Sequence, residues 1–118
     1  MADDIERRLS ALIDEVVRQL QVASQGSALC ALSRSGQPVD AVKYYEGAWG
    51  ALTELRRLLR TTPPTEAFAT SLEEWRADLA ARRAAGTDGN WVAYRTGGIE
   101  HLTMLAEALG LTAPADPA

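Results

Sequence analysis

The pattern of apolar residues between residues 39 and 59 is the clearest structural signal in the chain. Apolar side chains recur there at helical spacing on two adjoining stripes. One stripe consists of Val42, Tyr45, Trp49, Leu52 and Leu59, and the other of Tyr44, Ala48, Ala51, Leu55 and Leu58. An apolar arc this wide is typical of a helix with neighbours on more than one side. Residues 39–59 are therefore predicted to form the central helix of a small helical domain.

Two further segments carry a helical pattern. Residues 3–23 repeat apolar positions along one face, and Asp3 with Glu6 can form a capping box at their start. Beyond two adjacent prolines, a narrower apolar seam predicts a helix that touches the core on one side, with Thr65 or Ser71 as its N-cap. That seam consists of Phe68, Leu72, Trp75 and Leu79.

The last predicted helix covers residues 91–109 and contains two adjacent glycines, Gly97 and Gly98. Such a pair favours a kink, or a fresh helix start at Thr96, over a straight rod. Alternatively, the two glycines admit the close approach of a neighbouring helix. Gly110 is expected to end the helix.

Residues 27–42 allow two interpretations. A glycine between two apolar runs indicates a hairpin of two short strands. The first run is mostly alanine and leucine, however, which form strands poorly, so a short helix is favoured and Pro38 then fits the first turn of the central helix. The predicted fold is all-α: a four-helix, mainly antiparallel bundle with a short extra helix between helices 1 and 2. Residues 1–111 form this single domain, and residues 112–118 are expected to be a disordered tail.

Charge and composition limit the possible partners and compartment. The chain has a net charge of −4, whereas nucleic-acid binders normally present a basic face. Its N-terminus lacks the apolar stretch of a signal peptide, and no run approaches the roughly 20 apolar residues that span a bilayer. We therefore expect a cytoplasmic protein that binds neither nucleic acid nor membrane. Its high alanine and arginine content is typical of GC-rich bacterial genomes.

One candidate binding region is the polar and aromatic group on the central helix. It consists of Tyr44, Tyr45, Glu46 and Trp49. Tyr45 and Trp49 lie four residues apart and so share a helix face. These side chains either pack in the core, which is the favoured interpretation, or form a patch that lines a pocket or anchors a partner.

The second candidate region lies on the last helix and consists of Trp91, Tyr94, Arg95 and His101. If a helix starts at Thr96, backbone N–H groups at residues 97–99 point outward as a weak anion site. Arg95 and His101 would add positive charge to it. In the favoured interpretation Thr96 is only a cap and His101 is solvated.

Catalytic and metal chemistry receive little support from the sequence. With one cysteine and one histidine, zinc would require several carboxylate ligands, and no nucleophile, base and orienting group can be named together. No cofactor and no metal are expected. An enzyme that uses Glu46, Tyr45 or His101 as acid or base is the least favoured hypothesis.

The favoured hypothesis for function is a non-enzymatic interaction module, a small regulatory or adaptor protein that acts through an aromatic helix face. The alternative is a bundle that binds a small anionic ligand between the central and last helices. An open pocket bordered by Tyr45, Trp49, Trp91 and Arg95 would favour the alternative. The apolar faces also exceed what one small bundle can cover, so a homodimer is expected, with part of helix 1 or the central helix in its interface.

Overall fold

The computed structural model describes residues 2–26, 30–34, 36, 38–86 and 89–111. This part of the chain contains α1 (Ala2–Ser24), β1 (Cys30–Leu32), β2 (Pro38–Asp40), α2 (Ala41–Leu58), α3 (Pro64–Ala84) and α4 (Gly89–Leu109). The prediction of an all-α, four-helix bundle is confirmed. None of the described helices is long and apolar enough to cross a membrane. The predicted tail at 112–118 lies outside the described residues.

The helix α2 is the centre of the bundle, as its apolar arc predicts. It packs most extensively on α4 and then on α1, and it contacts α3 only over a short stretch. Its N-terminus is capped by Asp40, whose side chain accepts a hydrogen bond of 2.9 Å from the backbone N–H of Lys43. Because α1 and α4 cover only two sides of α2, the arc is not buried throughout. Trp49 lies on the uncovered side and is 46% exposed, so its assignment to the core is wrong.

The hydrophobic core draws large side chains from all four helices. Its largest fully buried side chains are Leu9, Val16, Leu52, Leu55, Phe68 and Leu102. The α1–α2 contact has a polar component at its edge, where the Arg56 guanidinium donates to Ser10 Oγ at 2.8 Å and lies 3.4 Å from the Glu6 carboxylate.

The helices α3 and α4 run antiparallel. Trp75 packs on Gly98, and seven residues further along α3 the Arg82 guanidinium lies over Trp91, seven residues back along α4. The α3 helix begins at Pro64 without a side-chain cap, so the prediction of a cap by Thr65 or Ser71 is wrong. Proline is favoured at a first helical position, since its missing N–H would have no partner there.

The segment between α1 and α2 is a hairpin where it is described. The strands β1 and β2 pair antiparallel, with Ala31 opposite Val39. The short extra helix and the placement of Pro38 in the α2 helix are therefore wrong, and the alternative of two strands is observed. Strand propensity is a weak guide because packing on neighbouring elements overrides it. Residues 27–29 of the predicted extra helix lie outside the described residues.

The two glycines of α4 are packing positions within an unbroken helix, so the fresh helix start at Thr96 is wrong. A Cβ atom at Gly97 would overlap the backbone carbonyl oxygen of Tyr44, and one at Gly47 would overlap that of Tyr94. The absence of a side chain at these positions is what allows the backbones of α2 and α4 to touch.

Candidate functional site

The eight side chains proposed from the sequence separate into two groups. Tyr44, Tyr45 and His101 form a buried ring cluster between α2 and α4. Trp91, Tyr94 and Arg95 belong to a surface ring cluster between α3 and α4. Glu46 lies beside the surface ring cluster, whereas Trp49 stands on the outer face of α2. The group proposed on the central helix is thus divided, because Tyr44 is buried whereas Trp49 is exposed.

The buried ring cluster is held by edge-to-face contacts. The ring centroids of Tyr44 and Tyr45 are 5.1 Å apart, and that of His101 lies 5.5 Å from Tyr44 and 6.2 Å from Tyr45. His101 is only 7% exposed, and its Nδ1–H donates to the carbonyl oxygen of Gly97 at 2.9 Å. Burial lowers the pKa of His101 below its usual value, although the Gly97 hydrogen bond opposes the shift. At neutral pH His101 is therefore neither solvated nor cationic, so both expectations from the sequence are wrong.

Glu100 connects the buried ring cluster to the hairpin. Its carboxylate accepts a hydrogen bond of 2.6 Å from the Tyr44 hydroxyl, and both its oxygens accept from the backbone N–H of Arg34, at 3.1 and 3.0 Å. Arg34 also pairs with Glu107 at 3.1 Å. Burial and the neighbouring Glu100 carboxylate raise the pKa of Tyr44 well above its usual range. These contacts, the hairpin latch, attach the described part of the hairpin to α4 through Arg34.

The surface ring cluster lies over Trp75, which is itself a buried residue of the core. The Trp75 and Tyr94 rings are stacked, with centroids 5.5 Å apart and planes inclined by 20°. Trp91 meets Tyr94 edge to face, also at 5.5 Å. The indole N–H of Trp75 donates to Glu54 of α2 at 3.4 Å, so the cluster is tied to α2 as well.

Two arginines pack on this cluster and share one carboxylate. The Arg82 guanidinium lies 4.3 Å from the Trp91 centroid, and that of Arg95 lies 4.4 Å from Trp75. The Asp78 carboxylate forms an ion pair with each guanidinium, at 3.2 Å for Arg82 and 2.7 Å for Arg95. Arg95 is thus engaged by Asp78 and Trp75 rather than directed at a ligand.

The predicted anion site at residues 97–99 does not form. Its backbone N–H groups lie in the middle of α4 rather than at a helix start, so they are not free to bind an anion. Arg95 is paired and His101 is buried and uncharged, so neither supplies the expected charge.

A pocket does occur between α2 and α4, beside the first two turns of each helix. It is open to solvent, has a volume of about 370 Å³ and is lined by Lys43, Glu46, Asn90, Trp91 and Tyr94. The Lys43 ammonium lies 3.2 Å from the Glu46 carboxylate. Charges of both signs, an amide and two aromatic rings therefore face one cavity.

The composition of this pocket differs from the predicted one. Of the border residues expected from the sequence, Trp91 lines it, whereas Tyr45, Trp49 and Arg95 do not. Lys43 was missed, although its spacing of three residues from Glu46 on a helix is a readable signal for an ion pair. Glu100 and Arg34 were missed because they lie 66 residues apart, and no local pattern joins them.

The described residues contain no group of three or more His, Cys, Asp or Glu side chains that could hold a metal ion. Comparison with known proteins adds no assignment: no family model matches the chain, and no curated protein or solved structure matches it significantly.

Proposed function

We propose that this protein is a non-enzymatic protein–protein interaction module, a small cytoplasmic regulatory or adaptor protein of bacterial origin. The observation that carries the proposal is the exposure of two tryptophans, Trp49 at 46% and Trp91 at 41%. Tryptophan is the residue type most enriched among the side chains that dominate binding energy at protein interfaces. Exposed large apolar side chains on a folded domain are candidates for recognition.

The Trp91 indole is held in place by its neighbours, which favours tight recognition. Trp91 is packed between the Arg82 guanidinium and the edge of Tyr94. Trp49 projects from α2, the helix with the most extensive packing in the bundle. Side chains that are already ordered lose less conformational entropy when a partner binds.

Affinity capture with matched variants tests the proposal. We expect Trp49→Ala or Trp91→Ala to reduce recovery of a specific protein partner at least about tenfold, which is typical of hot-spot truncation. Met104→Ala is the control, because Met104 is equally exposed, at 41%, and belongs to neither ring cluster. Equal recovery by all three variants, with unchanged melting temperatures, would contradict the proposal.

The pocket between α2 and α4 favours a second candidate, the binding of a small anionic ligand. Lys43 supplies a cation at its wall, and the volume falls within the range of ligand pockets, about 300–1,000 Å³. Small carboxylates and inorganic phosphate should raise the melting temperature of the wild type but not of Lys43→Met. Arg57→Met, also on α2 but outside the pocket lining, should respond like the wild type. A response that survives in Lys43→Met would exclude this pocket.

A further inference from the structure

The pocket between α2 and α4 presents two opposite charges at one wall. Lys43 and Glu46 lie one helical turn apart on α2, and the distance between their charged groups is 3.2 Å. Each side chain is partly exposed, at 44% and 40%. A simple anion that binds Lys43 would therefore also approach the Glu46 carboxylate, whose repulsion weakens its binding. A ligand with one charge of each sign avoids this repulsion.

The opposite wall of the pocket is aromatic. Trp91 and Tyr94 line it from α4, next to the Asn90 amide. Both rings are held in place, since Tyr94 stacks on Trp75 and Trp91 carries the Arg82 guanidinium. This wall is preformed and suits an apolar, planar group.

We infer that the pocket binds a small zwitterion with an aromatic side group, the chemical class of the aromatic amino acids. This inference rests on the pocket being a ligand site, as in the second candidate above, and replaces the simple anion with a zwitterion whose carboxylate Lys43 binds. The carboxylate of the ligand pairs with Lys43, its ammonium pairs with Glu46, and its ring packs against Trp91 and Tyr94. The Lys43–Glu46 ion pair opens to admit the ligand. Lys43 then pairs with the ligand carboxylate in place of Glu46, and Glu46 pairs with the ligand ammonium in place of Lys43.

Two considerations of magnitude support the exchange. An exposed ion pair on a helix contributes little to stability, so opening it opposes binding only weakly. The pocket volume of about 370 Å³ lies at the lower end of the range for small-ligand sites and fits a molecule of amino-acid size.

Calorimetric titration of the full chain at pH 7 with three related probes tests the inference. Phenylalanine is a zwitterion, 3-phenylpropanoate lacks the ammonium, and phenethylamine lacks the carboxylate. We expect phenylalanine to bind about tenfold more tightly than either of the other two, because it alone satisfies both charged walls.

Variants then assign each charge. Lys43→Met should reduce phenylalanine affinity to that of phenethylamine, and Glu46→Gln should reduce it to that of 3-phenylpropanoate. Arg57→Gln, on α2 outside the pocket lining, is the matched control and should leave all three affinities unchanged.

The outcomes separate this inference from the proposal on which it rests. If 3-phenylpropanoate binds as tightly as phenylalanine, and does so through Lys43, the pocket is an anion site and the zwitterion inference is overturned. If phenethylamine binds as tightly as phenylalanine, a carboxylate is not recognised, and both ideas fail. Absence of binding by all three probes at millimolar concentration likewise overturns both.

Discussion

At the scale of single residues, Gly47 and Gly97 determine how closely α2 and α4 approach. Each faces the backbone carbonyl oxygen of a tyrosine on the other helix, Tyr94 for Gly47 and Tyr44 for Gly97. The arrangement is reciprocal, because each tyrosine lies three residues before the glycine of its own helix. A backbone oxygen in a helix cannot rotate away as a side-chain tip does, so a methyl group at either glycine forces the helices apart.

Gly47→Ala and Gly97→Ala should each lower the free energy of unfolding by about 1–2 kcal/mol. Overpacking typically costs about 1–3 kcal/mol, and the gain in helix propensity of about 1 kcal/mol only partly offsets a clash with backbone. Urea denaturation measures the change. Gly89→Ala is the control, since no atom lies within 4 Å of a Cβ added there. If Gly47→Ala proves as stable as Gly89→Ala, the backbone contact does not exist.

Trp49 and Trp75 form a matched pair for separating surface from core. Trp49→Ala should change the free energy of unfolding by less than about 1 kcal/mol, because an exposed side chain leaves no cavity. Trp75→Ala should lower it by about 3–5 kcal/mol, since Trp75 is only 3% exposed. Chemical denaturation of both variants checks the contrast. A large loss in Trp49→Ala would place that ring in a buried contact.

His101 should make stability depend on pH. Burial lowers its folded-state pKa below the usual 6.5, so the unfolded chain binds the proton more readily. The stabilising contribution is fully present above pH 6.5 and is lost as the pH falls towards the folded-state pKa. Urea midpoints from pH 7.5 to 5 should therefore show the advantage of the wild type over His101→Gln shrinking. An advantage independent of pH would contradict the burial of a neutral ring.

At the scale of elements, the hairpin depends on its attachment to α4. Its strands have three residues each, and an isolated two-stranded hairpin is at best marginally stable in water. The hairpin latch supplies the missing support through Glu100, which joins Arg34 of the hairpin to Tyr44 of α2. The latch uses a charged acceptor, and hydrogen bonds to charged groups are stronger than neutral ones.

Glu100→Ala should release the hairpin and lower the free energy of unfolding by about 1–3 kcal/mol, since the Tyr44 hydroxyl loses its acceptor in a buried site. Backbone amides of β1, β2 and Arg34 should exchange with solvent much faster, as measured by NMR. Glu107→Ala removes only an exposed ion pair of Arg34 and should cost at most about 1 kcal/mol. If the hairpin amides exchange equally slowly in the two variants, Glu100 is not the residue that holds the hairpin to α4.

At the scale of the whole molecule, large exposed apolar side chains occur on three helices of the described part of the chain. They are Val22 on α1, Trp49 on α2, and Trp91 and Met104 on α4. The predicted homodimer places part of α1 or α2 at its interface, and Trp49 is the large apolar residue available there. Two-fold dimers are the commonest assembly that covers such surface.

Light scattering at micromolar concentration should therefore give the mass of a dimer. Trp49→Arg should shift the mass to that of a monomer, because at a two-fold interface the two introduced arginines would lie close together and repel each other. Met104→Arg is the control and should remain dimeric. A monomeric wild-type mass that persists on concentration would leave Trp49 available to a different protein.

The sequence by itself determined most of the helical framework, because the signals for helices are local. The apolar period predicted α1 and α2 to within a few residues, and the proline pair and Gly110 marked helix boundaries correctly. The seam that contains Phe68 and Trp75 identified the buried face of α3. Such patterns are read within a few turns of one helix and need no knowledge of its neighbours.

Only the tertiary structure decided which parts of that framework meet, because contacts between distant segments leave no local pattern. It left Trp49 46% exposed, since α1 and α4 cover only two sides of α2. It paired Cys30–Leu32 with Pro38–Asp40 as two short strands, and Glu100 anchors Arg34 beside them across 66 residues of sequence. It also divided the aromatic group of the central helix, since Tyr44 and Tyr45 pack on His101 whereas Trp49 remains exposed. Propensity and periodicity describe one element at a time, whereas packing between elements sets exposure, pairing and the shape of a site.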